Sequence, residues 1–80
     1  MQLTAFKQLP MGRQAILLRQ GGHFLADRQQ DSFSLRLYAF GDFYAEVWRV
    51  QDEERILFIH LFQHSAGLAS YLEKIRLPEV

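Results

Sequence analysis

The chain has no cysteine among its 80 residues, which excludes disulfides, thiolate metal sites and cysteine nucleophiles together. It also lacks an excess of charge. Nine basic and nine acidic residues cancel, so no net field draws it to nucleic-acid phosphate or to an anionic membrane surface. Lys7, Arg13 and Arg19 bias the first twenty residues, too sparsely for a basic arm. Long apolar runs are missing as well: Ile56 to Ile59 is far short of the roughly 20 residues a membrane helix needs. Lys7 and Gln8 interrupt the start, where a signal peptide would place its apolar region. These absences lead us to expect a soluble, cytoplasmic protein with no nucleic-acid or membrane partner.

What is present is apolar and aromatic. Apolar residues make up 49% of the chain, and seven Phe, three Tyr and one Trp supply large side chains for a core. Such a composition belongs to a folding chain and not to a disordered tail. Residues 1–80 are expected to form a single compact α+β domain, of a size at which a small fold needs a core that is rich for its length.

The hydrophobic period changes once along the sequence. Thr4 to Leu9 has the composition of one helical turn, closed by Pro10, which disfavours helix at Leu9. Met11, Ala15 and Leu18 then follow helical spacing, with Ile16 and Leu17 widening the stripe and Gly21-Gly22 as the stop. After the glycines, HFLADR reads as a short first strand, with the weakest pattern of the four, and QQDS as a turn. FSLRLYAF alternates, Gly41-Asp42 turns, FYAEVWRV returns, QDEE forms a charged loop and RILFIHLF is the fourth strand. Ser65 is placed to cap a last helix carrying Leu68, Tyr71, Leu72 and Ile75 on one stripe, ended by Pro78. The expected order is α-β-β-β-β-α, a four-stranded antiparallel meander flanked by an N-terminal and a C-terminal helix.

The turn at Gly41-Asp42 admits two registers, and register decides which side chains share a face. A two-residue type II′ loop suits the turn chemistry, whereas a three-residue loop over Phe40-Gly41-Asp42 needs Asp42 near the left-handed region. The three-residue register gathers Phe33, Leu35, Leu37, Phe43, Ala45, Val47, Ile56, Phe58 and Phe62. It sets Arg36, Tyr38, Tyr44, Glu46, Trp48, Leu57, Ile59 and Leu61 opposite them. It is the expected one because Arg36 then lies across from Glu46, a pairing worth a few tenths to about 1 kcal/mol. The two-residue register opposes Glu46 to Leu37 and leaves the carboxylate in the main core. Under either register both faces carry apolar surface, whereas an antiparallel sheet commonly solvates one.

Few residues carry recognisable chemistry. His60 and His64 have the spacing of a helical metal clamp, but on a strand their backbones lie about 13 Å apart. Zinc–nitrogen bonds are only about 2.0–2.1 Å, so the pair does not close on one ion and no metal or cofactor is expected. His23 and Asp27 have no nucleophile motif beside them, and Gly21-Gly22 lacks phosphate-loop spacing. Tyr38, Tyr44 and Trp48 form an aromatic row that could stack bases, but too few cations flank it. No catalytic residue is assigned. The leading expectation is a non-enzymatic interaction module, self-associating as a homodimer or binding a protein partner through Arg36, Tyr38, Tyr44, Glu46, Trp48, Ile59 and Leu61. The alternative is a small-ligand-binding or catalytic domain that uses Glu46 and Arg36 in a pocket between sheet and helix.

Overall fold

Pro10 divides the N-terminal helical segment in two, because its ring disfavours helix in the preceding residue and it has no N–H to donate. In the computed structural model, which describes residues 1–63, α1 spans Leu3–Lys7 and α2 spans Met11–Gly21. The Pro10 carbonyl accepts the first bond of α2 from the Gln14 backbone N–H at 3.0 Å. The Gln14 side chain turns inward and donates through Nε2 to the Phe6 carbonyl at 2.9 Å, a second bond on an oxygen that also accepts the Leu9 backbone N–H at 3.1 Å. This bond alters the buried face of α2. Gln14 and Leu18 are its buried residues, while Met11, expected on the apolar stripe, is exposed.

Four strands follow: β1 (His23–Gln30), β2 (Phe33–Phe40), β3 (Phe43–Val50) and β4 (Ile56–Phe62). They form one antiparallel sheet in the order β1-β2-β3-β4, so the protein is a small α+β domain built on a meander. β1 runs two residues further than expected, since Gln29 and Gln30 pair with Ser34 and Phe33 across a two-residue Asp31-Ser32 loop. Asp31 takes a positive φ of 55°, a conformation that Asp tolerates better than most residues. The helix expected from Ser65 onward lies outside the described residues.

The expected register of the β2/β3 hairpin is corrected by the structure. Phe40 pairs with Phe43, so Gly41-Asp42 is a two-residue loop, and Leu37, not Arg36, lies across from Glu46. Gly41 takes φ +60° while Asp42 does not enter the positive-φ region, the pattern of a type II′ turn. A Cβ at Gly41 would also overlap the Met1 carbonyl oxygen. Turn geometry therefore outweighs the single charge pair that favoured the longer loop.

The two faces follow from this register, because directly paired residues project to the same side. Arg36, Tyr38, Phe40, Phe43, Ala45, Val47, Ile59 and Leu61 lie on the side that α1 and α2 cover. There Phe6 and Leu18 pack with Phe43, Ala45 and Val47, and the Phe6 ring sits 5.5 Å from Phe40 and 5.0 Å from Phe43. Leu35, Leu37, Tyr44, Glu46, Trp48, Phe58, His60 and Phe62 occupy the other side. Leu37 and Ala26 form a second, smaller cluster there with Leu25, Tyr44 and Phe62.

The loop assignment predicts an asymmetric response to alanine. Gly41→Ala should lose about 1–2 kcal/mol in urea unfolding, the cost of a left-handed L-residue. Asp42→Ala should stay within about 0.5 kcal/mol of the parent. A larger loss at Asp42 would mean the longer loop.

Candidate functional site

Glu46 is the centre of the only buried charged group on the side away from α1 and α2 among the described residues. Its side chain is 8% exposed. The alternation of β3 puts Trp48 two residues away on the same face, and the indole Nε1 donates to Glu46 Oε1 at 2.6 Å. His60 stands directly across on β4, with Nδ1 3.7 Å from the same oxygen. Arg28 reaches from β1, two strands or about 10 Å away, to bring a guanidinium nitrogen within 3.6 Å of Oε2. Its other terminal nitrogen donates to Gln30 Oε1 at 2.6 Å. One carboxylate oxygen thus accepts a hydrogen bond and the other faces a guanidinium, so an indole and an arginine hold the charge where an isolated carboxylate would be costly.

Aromatic pairs frame this cluster on both sides. Trp48 stacks on Phe58 at 5.0 Å between centroids and meets Phe33 edge-on at 5.6 Å. Tyr44 stacks on Phe62 at 5.4 Å, and the His60 ring lies 5.4 Å from Phe62. The partners of Tyr44, Glu46 and Trp48 thus include Phe62, His60 and Phe58, which alternate along β4. Phe58 remains 47% exposed.

The seven residues expected to bind a partner do not form one patch. Tyr44, Glu46 and Trp48 lie on the Glu46 side, whereas Arg36, Tyr38, Ile59 and Leu61 project toward the helices. Arg36 and Glu46 are therefore on opposite faces and cannot share a pocket, contrary to the expected pairing. Arg36 instead lines a recess between α2 and the sheet, which Glu46 does not reach, and its guanidinium lies 5.8 Å from the centroid of Phe24. The residues missed in the sequence are Arg28 and Phe58. Arg28 lies 18 positions from Glu46 on a strand whose sequence pattern is weak, and the longer-loop register puts Phe58 on the face opposite Trp48.

His60 lies on β4 as a strand residue, while His64 falls outside the described residues. Among the described residues no group of three or more His, Asp or Glu side chains is arranged to hold a metal ion, and no helix is long and apolar enough to cross a membrane. With its oxygens already engaged, Glu46 is placed to anchor side chains from three strands. Glu46→Ala should destabilise by about 1–3 kcal/mol, because it strands the indole and guanidinium donors. Glu46→Gln, which keeps an acceptor for Trp48, should cost less; urea unfolding followed by the single tryptophan's fluorescence checks the order. No protein family matches this chain, and no curated protein or solved structure shows significant similarity to it.

Proposed function

We propose that the protein is a non-enzymatic interaction module that self-associates by antiparallel pairing of its β4 edges. The observation that carries this reading is the contrast between the two edges of the sheet. β1 carries a bulge between Phe24 and Ala26, followed by Asp27, Arg28, Gln29 and Gln30. Bulges and charged side chains are the usual means of keeping an edge from pairing with another chain. Among the described residues β4 has none of that protection in its central and distal part. It reads Ile-Leu-Phe-Ile-His-Leu-Phe, without proline, glycine, lysine or a carboxylate, and its one irregularity lies at its start, opposite Trp48 and Arg49.

A second copy suits this edge better than a differently charged partner. Antiparallel pairing about a two-fold axis near Ile59 brings no like-charged carboxylates or lysines together, and it sets Phe58 against His60 of the second copy. Outward-facing N–H and C=O groups of alternate residues would be satisfied by the same groups across the axis. The added strand would also cover part of Phe58, extending the Trp48 stack into the interface. Of the residues expected to bind a partner, Ile59 and Leu61 sit on the pairing strand and Tyr44, Glu46 and Trp48 support it from β3. Arg36 and Tyr38 take no part. The reading includes a cytoplasmic location, supported by a core assembled without disulfides.

Sedimentation equilibrium across a concentration series tests the proposal. The parent protein should approach twice its monomer mass, and Phe58→Lys, which places a charge on the edge, should remain monomeric with an unchanged far-UV circular dichroism spectrum. A parent that stays monomeric up to millimolar concentration, or a folded Phe58→Lys that dimerises as before, would contradict it.

A further inference from the structure

The recess beneath α2 has a composition that the interaction reading leaves unused. It has a volume of about 280 Å³, with Arg19 from α2, Arg36 from β2 and Arg49 from β3 around it. Leu18, Val47 and Ile56 give it apolar walls. The corrected register explains how the sheet arginines meet. Arg36 pairs with Val47, so Arg49, two residues further along β3, is its diagonal neighbour, about 7–8 Å away at the backbone and within reach of long side chains. Two like charges in that relation repel unless an anion lies between them.

No carboxylate among the described residues forms an ion pair with them, although Asp27 stands directly across from Arg36 on β1. Glu54 is the carboxylate in the lining, yet no carboxylate lies within 4.0 Å of Arg19, Arg36 or Arg49 among the described residues. The Arg49 Nε–H is buried and has no hydrogen-bond partner among those residues. An unsatisfied buried donor costs about 1–3 kcal/mol, so its presence beside two further guanidiniums marks a place where an acceptor belongs.

We infer that this recess binds a small phosphomonoester with a short apolar body, its oxygens held by Arg19, Arg36 and Arg49 and its body against Leu18, Val47 and Ile56. Charge selects the class. Counting the side chains that line the recess, with Asp27 outside it, three guanidiniums against the Glu54 carboxylate leave an excess of two positive charges, which matches the roughly −1.5 to −2 charge of a phosphomonoester at neutral pH better than a monocarboxylate. Guanidinium forks also suit phosphate oxygens geometrically. Size restricts the body, since the volume falls just below the roughly 300–1,000 Å³ typical of small-molecule sites. An adjoining recess of about 430 Å³ shares Arg36 and Arg49 and adds Asp27, no helix residue, and Arg28, which Glu46 and Gln30 already engage, so it offers the apolar body of such a ligand less contact.

The probe is phenyl phosphate, titrated into the ¹⁵N-labelled protein at constant ionic strength while the arginine Nε–H resonances are observed. The Arg49 Nε–H signal should shift saturably. Arg19→Gln and Arg36→Gln, both at exposed positions, should each weaken binding about tenfold while leaving the backbone spectrum otherwise intact. Inorganic phosphate and benzoate should bind more weakly than phenyl phosphate, the first lacking the apolar body and the second the second charge. Absence of a saturable shift, an equal response to chloride, or unchanged affinity in both variants would overturn the site. Equal binding of inorganic phosphate or benzoate would overturn the assigned ligand class.

Discussion

The two-residue loop at Gly41-Asp42 is the constraint from which the rest of the sheet follows. Strand side chains alternate, so a single residue added to or removed from that loop would move every side chain of β3 relative to β2. Gly41 adopts a positive φ and lies against the Met1 carbonyl, and both conditions require the absence of a Cβ. With the loop fixed, Phe43, Ala45 and Val47 face Phe6 and Leu18, and Tyr44, Glu46 and Trp48 face the other way.

Putting Glu46 across from Leu37 places a charge on a face that also buries Leu35 and Leu37 completely. The arrangement is tolerable because its partners come from three directions: a hydrogen bond along β3 from Trp48, an ion pair over β2 from Arg28, and the His60 ring across on β4. Each partner is fixed by strand geometry, so the cluster also specifies how the strands align. A slip of one residue on β4 would remove His60 from the carboxylate and Phe58 from the Trp48 stack. Removing one partner from such a buried group generally costs more than the pair contributes, which makes wrong registers unfavourable. The same register makes Arg36 and Arg49 diagonal neighbours on the helix side, with no ion pair to either among the described residues. One alignment thus produces a partnered anion on one face and a pair of neighbouring cations on the other.

Much of the fold was legible in the sequence. The alternation in FSLRLYAF and FYAEVWRV gives β2 and β3 their observed limits, and Pro10 and Gly21 mark the ends of α2. The register was less legible. A local comparison weighed one charge pair, Arg36 with Glu46, against turn chemistry, and the partner that settles the charge, Arg28, belongs to a strand two positions away in the sheet. Long side chains that cross an intervening strand leave no periodic trace. The arginine recess was hidden for a related reason: Arg19, Arg36 and Arg49 are far apart in sequence, and two of them become neighbours only in the shorter-loop register. The polar surface of β1 and the apolar run of β4, by contrast, were visible from composition. The strand order puts both at the edges of the sheet, where that contrast matters.

The most direct measurement of the central claim is the cross-strand nuclear Overhauser pattern of the β2/β3 hairpin. A two-residue loop makes Leu37 and Glu46 a non-hydrogen-bonded pair, the kind in which opposing α-carbons approach most closely. A strong α-proton contact between Leu37 and Glu46, with another between Leu35 and Trp48, is the predicted result. An α-proton contact between Arg36 and Glu46 in their place would show the longer loop and would contradict both the face assignments and the sites derived from them.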